Sequence, residues 1–230
     1  MIRIIALAFA AALASPALAE PNSSSLLFEA PAIEGLPTGT ILIYRLERAV
    51  APPGPGAASG DTASAPSSST VELTLQADPD AGGRQAKVDV LTGERHQSAG
   101  PFPAGVGNPV VLVLLERDVA EMSRILHGSP FYLRNRIRES LGEATIAEPV
   151  RFSLNGREVE GWRIAVSPFA QDRNRDKLRE YAGKRYEFTL SEAVPGGLYE
   201  IRTMVPGPEG TPLVEDRLSF EKSQAEGGSR

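Results

Sequence analysis

Side chains able to do nucleophilic chemistry are scarce in this chain of 230 residues, which has two histidines and no cysteine. His96 lies in a polar stretch. His127 lies at the end of a predicted helix, where its charged form would stabilise the helix dipole. No G-x-S-x-G sequence is present, and Ser219 to Lys222 fits S-x-x-K without its companion motifs or a following helix. A hydrolase of unknown substrate, built on His96 or His127, is therefore the least supported of the three functions that we consider.

Metal and cofactor chemistry has as little support in the sequence. The acids at 78–80 and 172–176 are not part of the Gly-centred loop with a terminal Glu that binds calcium. A turn and a helix start explain them as well. The chain has no phosphate-binding loop and no dinucleotide fingerprint. We therefore predict no catalytic residue, no cofactor and no metal site.

Arginines at 134, 136 and 138 are the remaining cluster with a possible chemical role. Positions 134 and 138 are neighbours on a helix, whereas 136 points elsewhere. These cations either contact an anion or a lipid headgroup, or they form salt bridges on a solvated face. Arg134, Arg138, Tyr132 and the single tryptophan, Trp162, are our candidates for ligand or partner binding.

The first 19 residues have the pattern of a secretory signal peptide. Arg3 precedes an apolar run at 4–14, and Ala17-Leu18-Ala19 forms an A-x-A site, which predicts cleavage after Ala19. Loss of Arg3 changes the formal charge from −5 to −6, and this acidic balance argues against nucleic-acid binding. The cysteine-free exported chain suggests a Gram-negative periplasm, and we predict no transmembrane segment in the mature chain.

The elements that must position any site begin after a flexible arm at 20–38, rich in Pro, Ser and Ala. A single domain is predicted at 39–222, interrupted by a disordered loop at 51–69 and followed by a flexible tail at 223–230. Apolar residues alternate with polar ones in eight predicted strands, which indicates an antiparallel sheet with one buried face. These strands lie near 40–47, 71–75, 86–90, 150–154, 159–166, 186–190, 199–205 and 214–220.

Asn155-Gly156 predicts a type I′ hairpin turn. In the returning strand the apolar residues change from odd to even positions, and this change predicts a β-bulge at Gly161.

Two helices are predicted in the middle of the chain, at 109–127 and 130–141. Asn108-Pro109 and Ser129-Pro130 are N-cap and first-turn signals, and Gly128 suits the left-handed end of the first helix. A buried strand over 110–115 is the alternative for the Val-rich start. A third, short helix is predicted at 171–182.

The predicted fold is α+β: a single curved antiparallel sheet of about eight strands packed on an inserted helical pair, plus one short helix. The hairpin at 149–166 and the segment YEFTLSEAVPGGLY resemble the half-barrels of periplasmic lipoprotein carriers. GSPFYLRNRIRESLG and SEAVPGGLYEIR resemble uncharacterised exported proteins of alphaproteobacteria.

With few catalytic groups, we expect a non-enzymatic binding or carrier-type protein for an apolar or amphipathic ligand. Its partners would be a lipid, a lipoprotein or another envelope protein. An envelope interaction or scaffold protein with a filled core is the alternative.

Overall fold

Neighbouring strands pair antiparallel along most of the chain and form one curved, unclosed sheet. The computed structural model describes residues 21–52, 65–80, 82–105, 107–142 and 146–227, and these contain nine strands. Across the sheet their order is β4-β3-β2-β1-β9-β8-β7-β6-β5, so β4 and β5 are its edges. The predicted α+β class is confirmed. The strands are β1 (Thr40–Val50), β2 (Ser67–Ala77), β3 (Arg84–Thr92), β4 (Arg95–Pro103), β5 (Glu148–Leu154), β6 (Arg157–Val166), β7 (Arg185–Leu190), β8 (Leu198–Val205) and β9 (Val214–Ala225).

Apolar side chains at every second position give the sheet one buried face, as predicted. Leu73 and Leu75 of β2, Val88 of β3 and Phe188 of β7 are all fully buried on it. We call this the inner face, because the first helix, α1 (Pro109–Leu126), packs against it.

The two predicted central helices are confirmed, with α1 ending one residue earlier than expected. The side chain of Asn108 accepts a hydrogen bond from the N–H of Val110 at 3.1 Å, which caps α1 as its sequence predicts. His127, with φ of 51°, takes the left-handed position that was expected for Gly128. The second helix, α2 (Pro130–Gly142), buries Leu133, Ile137 and Leu141. No helix among the described residues is both long and apolar enough to cross a bilayer.

The predicted third helix forms only in part. It is one short helix, α3 (Arg175–Leu178), followed by a 3₁₀ turn at Arg179–Gly183. Arg179 has a φ of 50°, which breaks the α-helical path. Another 3₁₀ turn, Pro208–Gly210, precedes β9.

The ninth strand, β4, was missed because its residues carry no alternation of apolar and polar types. It pairs with β3 at the sheet edge, and most of its side chains are exposed. An edge strand can leave most of its side chains in solvent, so the alternation of apolar and polar residues that identifies inner strands is absent here.

The predicted β-bulge at Gly161 is wrong. β5 and β6 pair in unbroken register from Glu148↔Arg163 to Leu154↔Arg157, and β6 pairs with β7 in the same unbroken way. The apolar residues of β6 change from odd to even positions because they lie on opposite faces of the sheet before and after Gly161. A Cβ at Gly161 would collide with the carbonyl oxygen of Leu190, so glycine is required by close packing instead.

Residues 21–38, expected to be a flexible arm, pack on the domain. Leu27 and Ile33 are buried in the core, and a single π-helical turn spans Ser25–Glu29. The hydroxyl of Ser23 donates to the carbonyl of Leu141 at 2.6 Å.

The boundaries of the other irregular segments also differ from their expected positions. Strand β2 begins at Ser67, inside the predicted loop, and β9 continues to Ala225, inside the predicted tail. The predicted signal peptide, residues 53–64 of the loop and the last three residues lie outside the described part of the chain.

Candidate functional site

The inner face has two ends of different character, and the first is sealed by apolar packing. Here Leu42 and Tyr44 of β1 are fully buried. The side-chain amide of Asn108 donates to the hydroxyl of Tyr44 at 3.0 Å and to the carbonyl of Gly196 at 2.8 Å. The backbone of Leu27 comes so near Gly107 that no Cβ would fit there. We call this region the closed end.

The second end of the inner face holds a pocket of about 340 Å³ between the sheet and the C-terminal half of α1. We call it the open end, because Ala120 and the arginines at 117 and 124 are exposed at its mouth. Its lining combines apolar and charged residues. We call the apolar lining residues Leu46, Leu114, Leu115, Ile201 and Leu218 the floor, and the charged lining residues Arg48, Arg117, Asp118, Glu121, Arg124 and Asp216 the rim.

Arg48 joins strand and helix across this pocket. Its Nε and Nη2 donate to the two carboxylate oxygens of Asp216 on β9, both at 2.6 Å, and its Nη1 donates to Glu121 of α1 at 2.6 Å. Burial alone would lower the pKa of Arg48, but the hydrogen bonds and charges of Asp216 and Glu121 outweigh it and raise that pKa. The planar, bidentate pair links β1 to β9, and the bond to Glu121 holds the open end of α1 on the sheet.

A second buried network lies in the wall of the same pocket. The ammonium of Lys184, 2 % exposed, forms an ion pair with Asp118 of α1. The hydroxyl of Tyr186 donates to the other carboxylate oxygen of Asp118 at 2.5 Å. Burial, followed by the charge of Asp118, raises the pKa of Tyr186 well above its ordinary value. The phenol therefore stays protonated and acts as a donor.

The sequence-predicted candidates are not brought together, and none of the four lines the pocket. Arg134 forms a bidentate pair with Glu116 of α1, with Nε to Oε1 at 2.5 Å, and its guanidinium lies 5.5 Å from the ring centroid of Phe131. Arg138 is exposed on α2. Trp162 is partly buried on the inner face of β6.

Tyr132 takes part in a separate polar cluster that joins α2 to residues 172–174. Its hydroxyl donates to Asp172, whose two carboxylate oxygens lie 2.6 and 2.7 Å away. Arg136 also donates to Asp172, at 2.9 Å, and the N–H of Asn174 donates at 2.7 Å. Burial raises the pKa of Asp172, but these hydrogen bonds more than offset it, so the pKa is lowered.

Neither histidine lines the pocket. The Nε2 of His96 is 2.8 Å from Asp89 and 3.4 Å from the hydroxyl of Ser98. In a catalytic triad the histidine contacts acid and serine through different nitrogens, so this exposed trio does not have that geometry. His127 ends α1. Among the described residues no group of three His, Cys, Asp or Glu side chains could hold a metal ion.

The residues that line the open end were missed, although the sequence carries a signal for them. Arg48 and Asp216 are in phase with the apolar positions of β1 and β9, and Asp118 lies in the apolar stripe of α1. A charged residue at a core position needs a partner. That rule predicts buried ion pairs, but it does not say which residues pair.

Comparison with known proteins gives little more. No protein-family model and no curated protein matches the chain. Among solved structures the chain is similar to a crystal structure of the lipoprotein LppX from Mycobacterium tuberculosis. The two are 8 % identical, with 85 % of this chain and 90 % of that chain covered and a TM-score of 0.31. At so low a score the similarity supports no statement about function.

Proposed function

We propose that this protein is a non-enzymatic binding or carrier protein that holds an apolar or amphipathic ligand in the open-end pocket. The observation that carries the proposal is the mixed lining, in which leucines form the floor and ionised groups form the rim. A volume of about 340 Å³ falls within the range of roughly 300–1,000 Å³ that is usual for small-molecule pockets. A hydrocarbon chain would be buried on the floor while its headgroup stays at the wet rim.

The pairing of the pocket acids supports a binding role over catalysis. Asp216 and Glu121 both pair with Arg48, and Asp118 pairs with Lys184. A general base needs a free carboxylate oxygen within reach of the substrate, and these carboxylates are engaged by their cationic partners.

The place of action that we propose is the periplasm, where the ligand or partner would be a lipid, a lipoprotein or another envelope protein. Support comes from the leader-like residues 1–19 and from the lack of cysteine.

Blocking the pocket mouth tests the proposal directly. Thermal stability of the full mature chain would be measured with envelope lipids, acyl chains and lipoprotein peptides. At least one class should raise the melting temperature, and Ala120→Trp should abolish that rise by filling the mouth. Leu112→Trp is the matched control, because Leu112 is exposed on the same helix outside the lining. If no probe shifts the unmodified protein, the proposal fails.

An envelope interaction protein is the second candidate, and one observation favours it. Between Gly161 and its turn at Asn155-Gly156, the β5–β6 hairpin directs half-buried apolar side chains such as Val159 to the outer face. Phe152 stacks there on Tyr199 with ring centroids 4.1 Å apart. An outward apolar surface of this kind is typical of a contact site. Val159→Lys should then release a partner captured from periplasm, whereas Glu158→Lys, on the opposite face, should not. Retention of the partner by both variants would remove this candidate.

A further inference from the structure

The charges around the open-end pocket do not cancel. Three arginines and three acids line it, and one of those acids, Asp118, is already neutralised by Lys184 from behind the lining. Arg48 occupies the other two acids, Asp216 and Glu121. One positive charge is therefore in excess at the rim.

Arg117 is the side chain that carries this excess. It is exposed at the mouth of the pocket and makes no hydrogen bond or ion pair with any residue that the structure describes. Partial desolvation by the surrounding protein, followed by the neighbouring charge of Arg48, lowers the pKa of Arg117, while the charges of Asp216 and Glu121 act in the opposite direction. A guanidinium remains charged at neutral pH, so Arg117 is a cation held beside another cation. The two acids near it, Asp216 and Glu121, both accept hydrogen bonds from Arg48.

An anion at this point would relieve the repulsion between Arg117 and Arg48. The planar guanidinium has five N–H donors and binds a carboxylate, sulfate or phosphate through two parallel hydrogen bonds. A cationic or zwitterionic headgroup would instead bring positive charge toward three arginines.

We infer that the ligand of this pocket is an amphiphile with a single anionic headgroup, which Arg117 binds while the hydrocarbon chain packs on the partly exposed side chains of Leu46, Leu114 and Leu115. The inference rests on the proposed function, because it names the class of ligand for the same pocket. The headgroup chemistry is shared by free fatty acids and by anionic lipids of a bilayer.

Calorimetric titration of the mature protein with matched probes tests this inference. The probes are octanoate, octyl sulfate, octyl glucoside and octyltrimethylammonium, each below its micelle concentration, together with inorganic phosphate. Octanoate and octyl sulfate should bind about tenfold or more tightly than octyl glucoside, and octyltrimethylammonium should bind most weakly. Phosphate alone should bind weakly, because it places nothing on the leucines.

Variants then locate the headgroup. Arg117→Gln should reduce octanoate affinity to that of octyl glucoside and leave octyl glucoside unchanged. Arg134→Gln is the matched control, since Arg134 is an equally charged helical residue outside the pocket, and octanoate affinity should not change. Sedimentation with phosphatidylglycerol vesicles shows whether the same Arg117 dependence extends to lipids of a bilayer or is confined to free amphiphiles.

The possible failures are distinguishable. Equal affinity for the anionic, neutral and cationic probes, unaffected by Arg117→Gln, would overturn the anion inference and leave a binding protein. Phosphate binding as tightly as octanoate would overturn the amphiphile. Absence of binding by every probe would remove the proposed function itself.

Discussion

The closed and open ends of the inner face are built by the same strands, but the side chains that these strands place there are apolar at one end and partly charged at the other. Toward the closed end β1 contributes Leu42 and Tyr44, and toward the open end it contributes Leu46 and Arg48. On β9 the residues paired with these change likewise, from Phe220 opposite Tyr44 to Leu218 and Asp216 opposite Leu46 and Arg48. The closed end buries its apolar groups under α1 and residues 21–38, whereas the open end combines buried ion pairs with exposed arginines.

This difference separates stability from recognition. At the closed end, apolar side chains are stabilised by burial against any other apolar group, and water is excluded. Buried ions at the open end are stable only in pairs, and such pairs are weak contributors to stability overall, although breaking one is costly. An end built this way gains a defined arrangement of charges, which is what a ligand with a headgroup requires.

Removing one member of the buried pair at the open end should have the largest effect. Asp118→Ala leaves the ammonium of Lys184 buried without a counter-charge, and we expect a loss of about 4 kcal/mol of unfolding free energy. Urea denaturation measures it, with Asp118→Asn as a control that keeps an acceptor and loses less. A loss below about 1 kcal/mol in the alanine variant would mean that the pair does not anchor this wall.

A cavity at the closed end should destabilise the protein without touching the pocket. Leu73 is fully buried, so Leu73→Ala should cost about 3 kcal/mol. Octanoate affinity of the folded variant should be unchanged. Loss of binding in a protein that is still folded would show that the two ends are not separate.

A charged cluster outside both ends should serve stability alone. Because Asp172 is buried and has a lowered pKa, the fold favours its ionised form, and its contribution is present above the ordinary value of 3.8 and lost as the pH falls through the lower folded value. We expect Asp172→Asn to cost about 2 kcal/mol at neutral pH and progressively less below about pH 4. Urea unfolding at several pH values measures this; a cost that is the same at every pH would contradict it.

The smallest effect is expected where an ion pair is exposed. Arg134 and Glu116 have side chains 40 % and 52 % exposed, and Arg134→Gln should change stability by less than about 0.5 kcal/mol. Thermal or urea unfolding measures this change. The same variant is the control in the ligand titrations, because it removes a positive charge outside the pocket. A loss above about 1 kcal/mol would show that even surface charge on α2 holds the helices together.

Much of the fold could be predicted because it depends on local patterns. The N-caps of α1 and α2, the turn at Asn155-Gly156 and the alternation in eight strands are all encoded within a few residues. Both residues of that turn have positive φ, 51° and 77°, as a type I′ turn requires.

The site could not be predicted because its contacts are distant in sequence. Arg48 and Asp216 are 168 residues apart, and Lys184 and Asp118 are 66 apart. The arginines at 134 and 138 drew attention because they are close in sequence, yet neither lines the pocket. Arg117 lies between Glu116 and Asp118 in the sequence, and its excess charge becomes visible only once the partners of the other charges are known.

Methyl NMR during an octanoate titration tests the separation of the two ends most directly. The methyl groups of Leu46, Leu114, Leu115 and Leu218 mark the open end, and those of Leu42, Leu73 and Leu75 mark the closed end. Shifts that saturate at the open end, with the closed-end methyls unmoved, are the predicted result. Shifts centred on the closed end, or no shifts at all, would contradict it.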